Sequence, residues 1–221
     1  KCRIYRLIAA EGKIILVPLI LLALATTGVS VYLEMGGSGL KGVNIALGVF
    51  ILFSLYFFRD PVRIPLGEAN QMVSPADGKV VQILDVNDPE IGNSKQISIF
   101  LSVFNVHCQR VPLTGKVIST FYNQGKFLVA FSHKASMDNE QTATVFEIES
   151  GSKYKIKQIA GLIARRILNY MEPEMVVEKG QRLGFIRFGS RVDIIVPPNF
   201  KINVSLGDIV EGNLSIIGEF E

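Results

Sequence analysis

Thr142–Ile159 reads TATVFEIESGSKYKIKQI: two runs rich in β-branched and aromatic residues, Thr142–Ile148 and Tyr154–Ile159, on either side of a Ser-Gly-Ser turn. Runs of this length, bounded by Gly, Ser and Asn, read as strands. The same texture recurs from Gln71 onward, in Val80–Leu84, Gln96–Leu101, Lys116–Phe121, Leu183–Phe188, Val192–Val196 and Leu214–Ile217, with Gly, Pro and Asn between. Short strands with frequent turn signals predict a mainly β domain. Asp77-Gly78-Lys79-Val80, Thr114-Gly115-Lys116-Val117 and Gly207-Asp208-Ile209-Val210 recur as tight turns entering strands, which points to a barrel-sandwich-like arrangement of hairpins. Helices are few. One stretch, Gly161–Tyr170 (GLIARRILNY), places apolar residues at Leu162, Ile163, Ile167 and Leu168 and predicts a helix.

Upstream of this domain the texture is different. Ile14–Leu33 (IILVPLILLALATTGVSVYL) carries no charge over twenty residues, about the length of a bilayer span. Val43–Phe58 (VNIALGVFILFSLYFF) is shorter and ends in an aromatic edge, Tyr56-Phe57-Phe58, followed by Arg59, as interfacial ends do. Glu34–Gly42 joins the two runs. Its Gly37-Ser38-Gly39-Leu40-Lys41-Gly42 fits GxGxxG, but it connects two apolar helices rather than a strand and a helix, so it reads as a hairpin turn. A cleaved signal peptide is the alternative for the first run, which is long for one and is followed by a second apolar run. A helical pair buried inside the globule is another.

Composition agrees with this division. Hydrophobic residues make up 48% of the 221 and charged residues 19%, with mean hydropathy +0.34, which excludes disorder, collagen and coiled coil. Residues 1–60 hold six basic and three acidic residues, so the whole net charge of +3 lies there and the remainder is balanced. Basic residues flank the apolar runs, which places both ends of the hairpin in the cytoplasm. The β domain has no basic excess for nucleic acid. Cys2 and Cys108 are too few for a disulfide framework.

The chain has two histidines, His107 and His133, and neither HExxH nor paired CxxC, so no metal site is expected. Three segments carry candidate chemistry: Ser74-Pro75-Ala76-Asp77-Gly78 places an acid in a rigid turn, Phe104-Asn105-Val106-His107 a histidine at a strand end, and Phe188-Gly189-Ser190-Arg191 a Gly-Ser pair between strands. Asp77, His107 and Ser190 are the parts of an activated-hydroxyl constellation. Taken singly each has an ordinary reading, as a turn residue, a core side chain and a bulge residue. Cys108 beside His107 is either a thiol nucleophile or a buried, inert side chain among Val106 and Val111.

These segments, together with Phe58-Arg59-Asp60-Pro61, Lys134-Ala135-Ser136-Met137-Asp138-Asn139-Glu140 and Ile159-Ala160-Gly161-Leu162-Ile163-Ala164-Arg165-Arg166, resemble the phosphatidylserine decarboxylase proenzymes of the short type, which include archaetidylserine decarboxylases. The resemblance runs from about Phe57 to Glu221 and rests on the set in this order rather than on any one segment.

The resemblance implies a pyruvoyl enzyme that cuts itself between Gly189 and Ser190. Ser190, deprotonated by His107 with Asp77 orienting the imidazole, would attack the Gly189 carbonyl. β-Elimination and hydrolysis would then leave a pyruvoyl group, the only cofactor, at residue 190. The serine head group would bind it as a Schiff base, lose CO₂ and leave as phosphatidylethanolamine. Residues 61–189 would form the large subunit's part of the β domain and residues 190–221 the small subunit completing it, with residues 1–60 as membrane anchor. A phospholipid substrate, a location at the cell membrane with the catalytic domain on the cytoplasmic side, no nucleic-acid partner and room for a homodimer follow. Where some family members carry two histidines in the segment around His107, this chain has one. His107 then serves both steps, or a second donor such as His133 takes one. The family's Asn-Glu-Arg stands here as Asn139-Glu140-Gln141. The alternatives are a lipoyl-like barrel-sandwich binding module on a membrane hairpin, a Ser-His-Asp hydrolase that is not cut, and pyridoxal phosphate on Lys79, Lys116 or Lys134, for which no phosphate cradle is evident.

Overall fold

The computed structural model describes residues 8–32, 38–125, 139–161, 167–187 and 190–221. The chain divides into two units, Lys1–Val62 and Arg63–Glu221.

In the first unit the two apolar runs form helices α1 (Lys13–Tyr32) and α2 (Ser38–Phe57), of 20 residues each. At 1.5 Å per residue each is about 30 Å long, the thickness of a bilayer's hydrocarbon core. Mean hydropathy reaches 2.5 in the first and 1.8 in the second, and few of their side chains are buried within the protein. Thr26 Oγ1 donates to Asn44 Oδ1 at 2.6 Å across the pair. Such polar contacts fix apolar helices against each other where packing brings no hydrophobic gain. At the outgoing end the Arg59 guanidinium lies 4.0 Å from the centre of the Tyr56 ring.

The second unit is made of strands. Among the described residues these are β1 (Gln71–Val73), β2 (Gly78–Asp88), β3 (Gly92–Leu101), β4 (Cys108–Arg110), β5 (Gly115–Asn123), β6 (Gln141–Glu147), β7 (Lys153–Ala160), β8 (Ile167–Asn169), β9 (Val176–Val177), β10 (Arg182–Ile186), β11 (Ser190–Val196), β12 (Phe200–Ile202), β13 (Ile209–Val210) and β14 (Ile216–Phe220). Eight of them form one antiparallel sheet in the order β13-β2-β3-β11-β7-β6-β5-β9, and two smaller sheets have the orders β1-β14-β12 and β4-β10-β8. The large sheet curls as a half-barrel. The mainly β expectation holds, and each of the eight β-branched runs contains or overlaps a strand.

The helix expected over Gly161–Tyr170 is corrected in part. Residues 162–166 lie outside the described residues, but Ile167–Asn169 is strand β8, paired with β10 through Ile167 and Ile186. Asn169 explains the choice locally. Its Oδ1 accepts the Met171 N–H at 2.7 Å and its Nδ2 donates to Thr144 Oγ1 at 2.9 Å, so the side chain turns the backbone out of any helix. Gly184 lets the two strands approach, since a Cβ there would sit 2.1 Å from the Leu168 carbonyl oxygen.

Period-2 alternation builds the core. Val192, Ile194 and Val196 of β11 join Ile97, Ile99 and Leu101 of β3 and Ile156 of β7 in one cluster. The opposite face of β11 carries Arg191 and Asp193, both buried, joined by Nε–Oδ1 and Nη2–Oδ2 contacts of 2.6 and 2.9 Å. On the same sheet buried Lys155 pairs with Asp88 and Glu90. Burial works against the Asp88 carboxylate, but the Lys155 ammonium and neighbouring hydrogen bonds outweigh it and hold its pKa below the ordinary value.

The register brings five segment ends to one end of the sheet. Lys79, the second residue of β2, pairs with Phe100 near the end of β3. Ser190, the first of β11, pairs with Leu101, the last of β3, and with Ala160, the last of β7. Gln141, which opens β6, pairs with Ile159. The Asp77 turn, the His107 segment, Ser190 and Asn139-Glu140 are thus gathered at one end from distant parts of the chain.

Candidate active site

Ser190 opens β11 between β3 and β7 and is completely buried. Its Oγ makes no hydrogen bond to any described residue. A buried hydroxyl left unpaired costs about 1–3 kcal/mol, a cost tolerated where the group has another task. Gly189, expected on the other side of the cut, lies outside the described residues.

His107 is also fully buried. The segment that carries it leaves β3 immediately after Leu101, the residue paired with Ser190. Its backbone carbonyl accepts Gln109 Nε2 at 2.8 Å and the Ile186 N–H at 3.3 Å, so it is tied to the strand that runs on towards residue 190. Its ring lies 6.5 Å from that of Phe185. The ring's Nδ1 is 3.0 Å from the Asn105 carbonyl oxygen. A carbonyl oxygen only accepts, so Nδ1 carries the proton and, in the neutral ring, Nε2 holds the lone pair of a general base. Asn105 is itself held: its Oδ1 accepts Ser102 N–H at 2.9 Å and Ser102 Oγ at 2.8 Å, and its N–H donates to the Ser102 carbonyl at 3.0 Å.

Asp77 is nearly buried and its carboxylate is engaged. Arg63 grips it through both terminal nitrogens, with Nη2 3.0 Å from Oδ2, and the Gly212 N–H donates to Oδ1 at 2.8 Å. On the sequence alone the hydrogen bond orienting the imidazole is expected from Asp77; among the described residues it comes from the Asn105 carbonyl instead. Asp77 fixes its own turn. Arg110 N–H donates to the Pro75 carbonyl at 2.9 Å, and Asn213 N–H to the Ser74 carbonyl at 3.0 Å, so the turn joins strand β4, which follows His107, to the Gly212-Asn213 loop. Gly78 closes it against β3, where a Cβ would sit 2.3 Å from the Phe100 carbonyl oxygen.

Asn139 and Glu140 clasp the end of β7. Asn139 Nδ2 donates to the Ala160 carbonyl at 2.7 Å, and Glu140 accepts the Tyr122 hydroxyl at 3.1 Å. Cys108 is buried. Lys116 pairs with Glu174 at the surface and Lys79 is exposed; His133 and Lys134 lie outside the described residues. The Arg63 grip on Asp77 had no signal in the sequence, since the two are 14 positions apart in a stretch without periodicity. The Asn105 carbonyl had none either, because backbone groups are silent in a sequence. A groove lined by Leu113, Lys116, Ile148, Val176 and Phe220 lies where β5 begins and β6 ends, and Asp77, His107 and Ser190 are not among its lining.

Comparison with known proteins agrees with the sequence resemblance. The profile of the family described as phosphatidylserine decarboxylase matches residues 50–218. A phosphatidylserine decarboxylase proenzyme of Aromatoleum aromaticum is 42% identical over 215 residues, covering 96% of this chain and 95% of that protein. Those of Geotalea uraniireducens and Ralstonia pickettii are 44% and 45% identical over 171 and 174 residues, covering 77% and 78% of this chain and 80% and 81% of theirs. With a family profile spanning most of its length and relatives 42–45% identical over three quarters of it or more, the chain belongs to the phosphatidylserine decarboxylase family of lyases, which are made as proenzymes.

Proposed function

We propose that this chain converts phosphatidylserine to phosphatidylethanolamine with a pyruvoyl group that it makes from its own Ser190. The observation that carries the reading is the buried Ser190 hydroxyl, at the first residue of a central strand, with no hydrogen-bond partner among the described residues. Lying between Leu101 and Ala160, it is held in place by two neighbouring strands rather than by a loop.

In the self-cleavage His107 Nε2 takes the Ser190 proton, and Oγ attacks the Gly189 carbonyl. The carbon–nitrogen bond breaks, nitrogen takes the proton, and an ester links Gly189 to Oγ. Loss of the Cα proton expels the Gly189 carboxylate and leaves dehydroalanine at 190. One water then replaces nitrogen, which departs as ammonia. The Asn105 carbonyl keeps His107 in the tautomer this requires. Asp77 acts at one remove, holding its turn against the strand that follows His107. A pyruvoyl carbonyl supplies the electron sink for the carbanion left by CO₂, which no ordinary side chain provides. After the cut, residues 190–221 remain in place because β11 is paired with β3 and β7, β13 with β2, and β14 with β1.

The test is a denaturing gel with intact masses. Two chains are expected, the smaller spanning 190–221 with pyruvoyl in place of Ser190, and the two should co-purify under native conditions. One intact chain that reacts with a serine probe would mean a hydrolase, and one intact chain without it a binding module.

Residues 1–60 act as a membrane anchor that brings the β domain to its lipid substrate from the cytoplasmic side. The expected result is retention in the membrane fraction through a high-salt wash, since two apolar helices are not screened as surface charge is. Release by salt would count against the hairpin.

A further inference from the structure

Arg187 follows the last residue of β10 and stands three residues before Ser190. It is half-buried, its Nε is out of reach of solvent and unbonded, and the side chain makes no hydrogen bond or ion pair with any described residue. Other described arginines are engaged: Arg63 with Asp77, Arg191 with Asp193, and Arg59 and Arg182 over the rings of Tyr56 and Tyr170. A guanidinium N–H removed from water without an acceptor is costly, and the Nε of Arg187 is in that position among the described residues. Its fork of donors matches carboxylate and phosphate oxygens. Its position puts that unmet demand beside the reacting residue. The preceding Ile186 N–H is bonded to the His107 carbonyl at 3.3 Å, and three residues of chain span at most about 11 Å to position 190.

We propose that Arg187 binds the phosphodiester of the phosphatidylserine head group. The inference rests on the reading of Ser190 as the reacting residue. The head group offers two anions, and the chemistry chooses between them. The carboxylate loses its charge as CO₂ departs, so an ion pair there would stabilise the ground state more than the transition state and slow the reaction. The phosphodiester, a few bonds from the amine, keeps its charge throughout. An ion pair to it helps substrate and transition state alike, and appears in KM rather than kcat.

The test uses the full-length processed enzyme and its Arg187→Gln and Arg187→Lys variants, with two soluble competitors. Glycerophosphoethanolamine carries the phosphodiester without the carboxylate, and free serine the carboxylate without the phosphodiester. For Arg187→Gln a rise in KM of about tenfold is expected, typical of one charge-assisted pair. Inhibition by glycerophosphoethanolamine should weaken by a similar factor, while kcat and inhibition by serine stay within about twofold. Arg187→Lys should fall between, keeping the charge but losing the fork. The proposal is overturned if KM and both inhibitions are unchanged, if serine inhibition is the one lost, or if Arg187→Gln is no longer cut, since Arg187 would then serve the cleavage. Failure of the Ser190 reading looks different: the unaltered protein would itself carry no pyruvoyl at residue 190.

Discussion

Ser190→Ala is expected to remain one chain and to have no measurable decarboxylase activity. On the proposed mechanism the substitution removes both the nucleophile that would break the backbone and the only precursor of the carbonyl, so no partial function should survive. Loss of a cofactor-forming group is of a different order from loss of a positioning contact, which costs factors of ten to a thousand. The control is stability. The Ser190 hydroxyl makes no hydrogen bond to any described residue, so its removal breaks none and relieves a desolvated polar atom. Deleting a group of that kind leaves stability unchanged or raises it by about 1–3 kcal/mol. Thermal melting of Ser190→Ala should therefore match or exceed that of a slowly cut variant of the same length. A two-chain Ser190→Ala protein, or one that retains activity, would move the cut and the cofactor to another residue.

Strands with a dense β-branched pattern were legible because each is long enough to alternate several times. Val192–Val196 declares itself in this way, and the structure extends it only to Ser190. The strands of two or three residues, β1, β4, β8, β9, β12 and β13, are too short for any period to register. Gly161–Tyr170 shows a further limit. Apolar residues at helical spacing fit a strand equally well when only three of them are needed, and Asn169 decides the matter through side-chain bonds to residues near and distant in sequence. The apolar hairpin was the easiest part, since spans of uncharged residues need no tertiary context.

The sequence names candidate side chains for the site but not the network around them. Asp77, His107 and Ser190 are the side chains such chemistry requires, and the register brings their segments to one end of a sheet. Which group holds which depends on partners that sequence does not advertise. The acid is gripped by Arg63 and the Gly212 N–H, and the imidazole by a backbone carbonyl.

That difference sets the expected contrast between two variants at the site. His107→Ala should leave nearly all of the chain uncut, with a cleavage rate lower by about 10²–10⁴, the range for losing a general base. Asp77→Asn should slow cutting by roughly tenfold or less, since a residue that acts at one remove costs less than the base it supports. The amide keeps an oxygen to accept the Gly212 N–H, but it loses the charge that Arg63 grips, so the turn loosens without removing the base. The His107 effect has two parts, because the ring is also buried beside Phe185. A melting curve for the uncut Ser190→Ala chain with and without His107→Ala isolates the packing part, since neither protein can be cut. If His107 acts only through packing, cleavage should recover when folding is stabilised by lower temperature. If it acts as the base, the rate stays low in fully folded protein. Normal two-chain processing of His107→Ala would remove the residue from this role and leave the Ser190 proton to another group.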